Sequence, residues 1–99
     1  MKRLLLVLCL AAPLAGCHEF KDDVLLICDS PDHVKFPENA KNPQKLQLIG
    51  VYLYDNVSTK EGKMFVDYLA LVGRAERSKT LRKIAMKEGI TICHLADMP

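Results

Sequence analysis

The sequence predicts an all-α fold, a small bundle of about four short helices, on three observations. Apolar residues recur at helical spacing in separate stretches between residues 19 and 95. The later stretches are bounded by helix punctuation: Ser58-Thr59 before one, Gly73 after it, Ser78 before the next and Gly89 after that. And no segment of this region supplies a convincing partner strand for residues 44–56, the one stretch whose composition also suits a strand.

Taken in order, residues 19–29 read as a first helix with Phe20, Val24, Leu25, Ile27 and Cys28 near one broad face. Asp29-Ser30-Pro31 is expected to end it, because proline disfavours helix in the residue before it. Residues 31–43 hold Pro31, Pro37 and Pro43 among Asp, Asn and Lys, the composition of an extended loop. Residues 44–56 read as a helix with Leu46, Ile49 and Leu53 on one side, flanked by Leu48 and Tyr52. Ser58, with Glu61 as capping-box partner, or else Thr59, caps the next helix. That helix sets Phe65, Leu69 and Val72 on one face, with Met64, Tyr68 and Leu71 beside them, and ends at Gly73. Ser78 is expected to cap a last helix over 79–88 with Leu81, Ile84 and Ala85 inward. Gly89 then serves as its left-handed C-cap and Ile90 as the apolar residue after it. Thr91 to Leu95 returns across the core.

The first sixteen residues have a different character. Lys2 and Arg3 form a basic end, Leu4 to Leu10 an apolar run, and Ala11, Ala12, Ala15 and Gly16 a small-residue end. These are the three zones of a secretory signal, and the apolar run is far shorter than the roughly 20 residues of a spanning helix. Next comes Leu14-Ala15-Gly16-Cys17, which resembles the lipobox of bacterial prolipoproteins: Leu, two small residues, then Cys. The resemblance covers residues 1–17 and matches all four positions of the pattern. It implies cleavage before Cys17 and diacylglycerol, with acyl chains such as palmitate, on the Cys17 thiol. The expected organisation is thus a signal peptide, 1–16, and a lipidated mature domain, 17–99, with a helical core over about 19–95. By the sorting rule of Gram-negative lipoproteins, His18 rather than Asp after the cysteine implies the periplasmic face of the outer membrane.

With that resemblance in place the cysteines divide. Of the four, Cys9 leaves with the signal and Cys17 carries lipid, so Cys28 and Cys93 remain in an oxidising compartment. One disulfide between them is expected, stapling a domain too small for a generous core. In the chain-entropy picture such a loop is stabilised by about 4 kcal/mol at most. A Cys-x-x-Cys redox pair is absent from the sequence, and Cys28, His33, Cys93 and His94 match no standard zinc spacing, so neither a metal nor a cofactor is expected.

Charge narrows the partners. The chain has 14 basic and 12 acidic side chains, so removing Lys2 and Arg3 leaves 12 against 12. Nucleic-acid binding needs a concentrated basic excess, and that class is set aside. Residues 74–87 are nonetheless locally basic. Arg74, Arg77, Lys79, Arg82, Lys83 and Lys87 stand against Glu76, and Lys79, Lys83 and Lys87 follow an i, i+4 ladder. Lys79, Arg82, Lys83 and Lys87 are therefore the candidate patch for an anionic partner, weighed against a plain solvated helix face. Tyr52, Tyr54 and Tyr68 could mark an interface or simply edge the core. His18 is expected near the headgroups and His33 in solvent. Asp22-Asp23 read as charges at a helix start.

No nucleophile has a visible base partner, and no phosphate-cradling glycine loop occurs, so the expected protein is not an enzyme. The reading that follows is a membrane-anchored envelope lipoprotein whose domain binds another envelope component, a protein in the first instance. A small-ligand or metal-binding module, with the ligand between helices or held by His33 and His94, is the alternative. A cell-wall-active or inhibitory factor is a third.

Overall fold

The computed structural model describes residues 19–98, and within them the fold is all-α, with no strand. Its elements are α1 (Phe20–His33), α2 (Asn42–Asn56), α3 (Lys60–Leu71), α4 (Arg74–Lys87) and the single turn α5 (His94–Asp97). Residues 1–18, which include the expected signal peptide, Cys17 and His18, lie outside the described residues. Among those described, no helix is long and apolar enough to cross a membrane.

α1 is the central element, packed by each of the other four. Its Val24, Ile27 and Cys28 are fully buried, and burial of an aliphatic side chain of this size contributes about 1.5–3 kcal/mol. Around them close Ile49 and Leu53 of α2, Val66 and Leu69 of α3, and Leu81 and Ala85 of α4. Val57 from the α2–α3 link and Ile90, Cys93, Leu95 and Ala96 from the C-terminal segment complete the core. The expected disulfide joins Cys28 in α1 to Cys93 at the entry to α5.

Several expectations need correction. α1 does not stop before Pro31; it carries that proline and runs on to His33. Pro31 has no N–H for the carbonyl of Ile27 one turn back, which in an unmodified helix would be orphaned. Ser30 fills the gap: its fully buried hydroxyl donates to the Ile27 oxygen at 2.7 Å. Leu25, placed on the core face by periodicity, is 45% exposed, and the true inner face has Asp23 in its place.

The loop is shorter than 31–43. It spans residues 34–41, and Pro43 lies in the first turn of α2, where its missing N–H is not needed. Residues 44–56 are helical throughout, Gly50 included.

In α3 the buried face is Gly62, Val66 and Leu69, with Phe65 half-buried. Leu69 of the expected face is buried and Phe65 and Val72 are half-buried, but the flanking Met64 and Leu71 are 62% and 85% exposed, because Val66 on the other side is the residue that turns inward.

The last long helix starts at Arg74 rather than Lys79, with Gly73 as N-cap. Ser78 is therefore interior, and its hydroxyl donates to the Ala96 oxygen at 2.7 Å instead of capping a helix. The far end behaves as expected. Gly89 takes φ +79°, its N–H donates to the Met86 oxygen at 3.0 Å, and the Ile90 N–H donates to the Ala85 oxygen at 2.8 Å. That paired arrangement is a Schellman cap. The return segment crosses to the core as expected and ends in a helical turn.

Candidate functional site

Two polar centres lie at opposite ends of α1. The first is Asp23, a fully buried carboxylate that faces the start of α3. It accepts from the backbone N–H of Ser58 at 3.1 Å and of Thr59 at 2.8 Å, and from the Thr59 hydroxyl at 2.5 Å. While its O–H donates to Asp23, the Thr59 oxygen accepts from the Gly62 N–H at 2.9 Å and so caps α3. Of the two proposed caps it is Thr59 that serves. A Cβ at Gly62 would lie 2.7 Å from Val57 Cγ1 and 2.8 Å from Asp23 Cγ, so only glycine admits this approach. Asp22, by contrast, is an ordinary helix-start charge and accepts from the Glu19 N–H at 2.9 Å.

The second centre is at the last turn of α1. Asp29 and Asp32 stand one turn apart there, and His94, first residue of α5, meets them. His94 Nδ1 is 2.5 Å from Asp32 Oδ2. One ligating atom from each of Asp29, Asp32 and His94 lies within 4.8 Å of the others, with Asp29 half-buried and the other two exposed. The disulfide explains the meeting: Cys28 and Cys93 immediately precede Asp29 and His94, and their Cα atoms are 4.3 Å apart. His33 is not in this group. Its ring stacks on Tyr52, centroids 6.2 Å apart and planes 5° from parallel. His33 and His94 thus have separate partners.

Asp29 and Asp32 were missed as candidates, although their signal was present. If Cys28 and Cys93 are bridged, whatever follows each cysteine is brought close, and an Asp-x-x-Asp pair on a helix shares one face.

The basic patch divides. Lys79, Lys83 and Lys87 are all exposed along one side of α4, as the ladder requires. Arg82, on the neighbouring row, ion-pairs with Asp97 and reaches the Ala96 oxygen at 3.5 Å, so it ties α4 to α5. A polar groove runs between these elements, with Arg74, Ser78 and Lys79 on one wall and Asp97 and Met98 on the other. An apolar cavity of about 90 Å³ lies among Leu46, Ile49, Leu53, Val66 and Leu69. That is well below the roughly 300 Å³ of a typical small-molecule pocket.

The tyrosines tie helices together at the surface. Tyr54 donates to Asp67 Oδ1 at 2.7 Å, joining α2 to α3, and Tyr68 donates to Glu76 Oε2 at 3.3 Å, joining α3 to α4. The carboxylate of Asp67 raises the Tyr54 phenol above its ordinary 10.0, first by the hydrogen bond and then by its charge. No protein-family model, no curated protein and no solved structure matches this chain.

Proposed function

We propose that this protein is a lipid-anchored, non-enzymatic module of the bacterial cell envelope whose helical domain binds another envelope protein. The observation that carries the reading is Leu14-Ala15-Gly16-Cys17, placed directly after a basic end and a short apolar run. The Cys28–Cys93 disulfide supports it, because such bonds persist in oxidising compartments. In this reading residues 1–16 direct export, Cys17 carries the lipid, and His18 sends the protein to the outer membrane where there is one.

The tether is short. α1 begins at Phe20, three residues after Cys17, so at most about 10 Å of chain separates anchor from domain. A partner is then met at the membrane surface, and Lys79, Lys83 and Lys87 supply an exposed cationic row for one that is acidic.

The test is metabolic labelling with palmitate of cells producing the chain or its Cys17→Ala variant. Wild type is expected to be labelled and shortened, the variant unlabelled and uncut before position 17; labelling that survives in the variant refutes the anchor. Cross-linking in the same membranes is expected to capture a stoichiometric protein partner. Recovery of the chain alone would overturn the binding half of the proposal.

A further inference from the structure

We infer that Asp29, Asp32 and His94 form a binding site for a divalent transition-metal ion of the zinc class. The inference stands apart from the anchor and starts from geometry. One imidazole nitrogen and two carboxylate oxygens are a ligand set that zinc accepts, at bonds of about 2.0–2.2 Å. Donor atoms around one such ion lie about 3.3 Å apart in a tetrahedron. Here the three candidates fall within 4.8 Å of one another before any ion draws them in. Asp32 and His94 are exposed, so small rotamer changes close the remaining distance without disturbing the core.

The electrostatics favour a cation. Both carboxylates stand in the last six residues of α1, toward the negative end of the helix dipole, where acidic side chains are disfavoured and cations are favoured. Among the described residues neither carboxylate has an ion pair to Lys or Arg; Asp32 has His94, and the other ion pair is Arg82–Asp97. A divalent ion would take the place of the proton shared between His94 and Asp32 and neutralise Asp29 as well. Preorganisation supplies the rest. The disulfide next to Asp29 and His94 holds the two arms of the site together, which lowers the ordering cost of binding. Three ligands on a solvent face leave a fourth position for water or for a side chain of a partner. Calcium and magnesium need more oxygen ligands than this cluster offers.

The measurement is zinc titration of the full chain in mild detergent, in competition with a chromophoric chelator. The disulfide is kept oxidised and any free thiol that remains on the chain is first blocked by alkylation. One equivalent of zinc is expected to bind, and magnesium is expected not to compete. His94→Ala and Asp29→Asn should each weaken zinc by at least about tenfold, while His33→Ala leaves it unchanged. Both substituted positions lie off the hydrophobic core, and the far-ultraviolet circular dichroism of each variant reports folding. No zinc uptake by the wild type overturns the site. So does wild-type affinity in folded His94→Ala and Asp29→Asn proteins.

Discussion

The two ends of α1 use the same residue type in opposite ways. At the N-terminal end Asp23 is fully buried and accepts three hydrogen bonds from the Ser58-Thr59 segment, so its carboxylate is committed to holding α3 in place. At the C-terminal end Asp29 and Asp32 gather beside the His94 imidazole, and a covalent bond next to them does the holding. The difference separates a structural carboxylate from a chemically available one. Burial with neighbouring donors makes Asp23 part of the scaffold, while half-buried Asp29 and exposed Asp32 keep lone pairs to offer a ligand.

The largest expected effect is at the covalent end. Reducing the disulfide, or replacing both Cys28 and Cys93 by Ser, should cost up to about 4 kcal/mol for a closed loop of 65 positions. That approaches the whole stability of a domain of about 80 residues, so the denaturant midpoint should fall steeply. An unchanged midpoint would mean that core packing alone holds α5 against α1.

Next comes the buried end. Asp23→Ala should cost about 3 kcal/mol, because it strands the Ser58 and Thr59 donors and removes the anchor of the α3 cap. Asp32→Ala should cost no more than about 1 kcal/mol, as surface ion pairs do. Equal losses in chemical denaturation would collapse the distinction between the two ends.

The smallest effect sharpens the comparison at a third carboxylate, Asp67. Its bond to Tyr54 raises the folded-state phenol, so the stabilisation it brings is present below pH about 10 and lost as pH rises through the folded value. Asp67→Asn should therefore move one tyrosine's absorbance titration down toward 10.0. A titration curve identical to wild type would show that the bond is not formed in solution.

The long apolar patterns were legible: α2 and the inner face of α4 lie where periodicity puts them, and Gly89 caps as its position foretells. What was not legible depended on side chains acting across the chain. Pro31 argues for a helix end unless Ser30 takes over the Ile27 carbonyl, and no propensity records that substitution. Ser78 has the residue type of a cap, yet Ala96, eighteen positions on, claims its hydroxyl. Asp23 could have been suspected, since it falls one turn before Ile27 on the apolar face, where a charge without a partner is costly. Its partner 36 positions away could not. The same holds for the second centre: the Asp-x-x-Asp pair was readable, but its meeting with His94 follows only once the disulfide is drawn.

The contact between Asp23 and Gly62 also constrains how this fold can diverge. A methyl group at position 62 has no room while the carboxylate occupies its present place, so the two positions cannot drift independently. Thr59 is drawn into the same constraint, since its hydroxyl bridges them at 36 positions from one and three from the other. Distant kin should therefore gain or lose the trio as a unit: Asp, then Thr and Gly at that spacing, with one bridging cysteine between Asp and Thr and the other after Gly. Such a sparse inherited signature could survive after the surrounding apolar residues have been exchanged beyond ordinary sequence similarity.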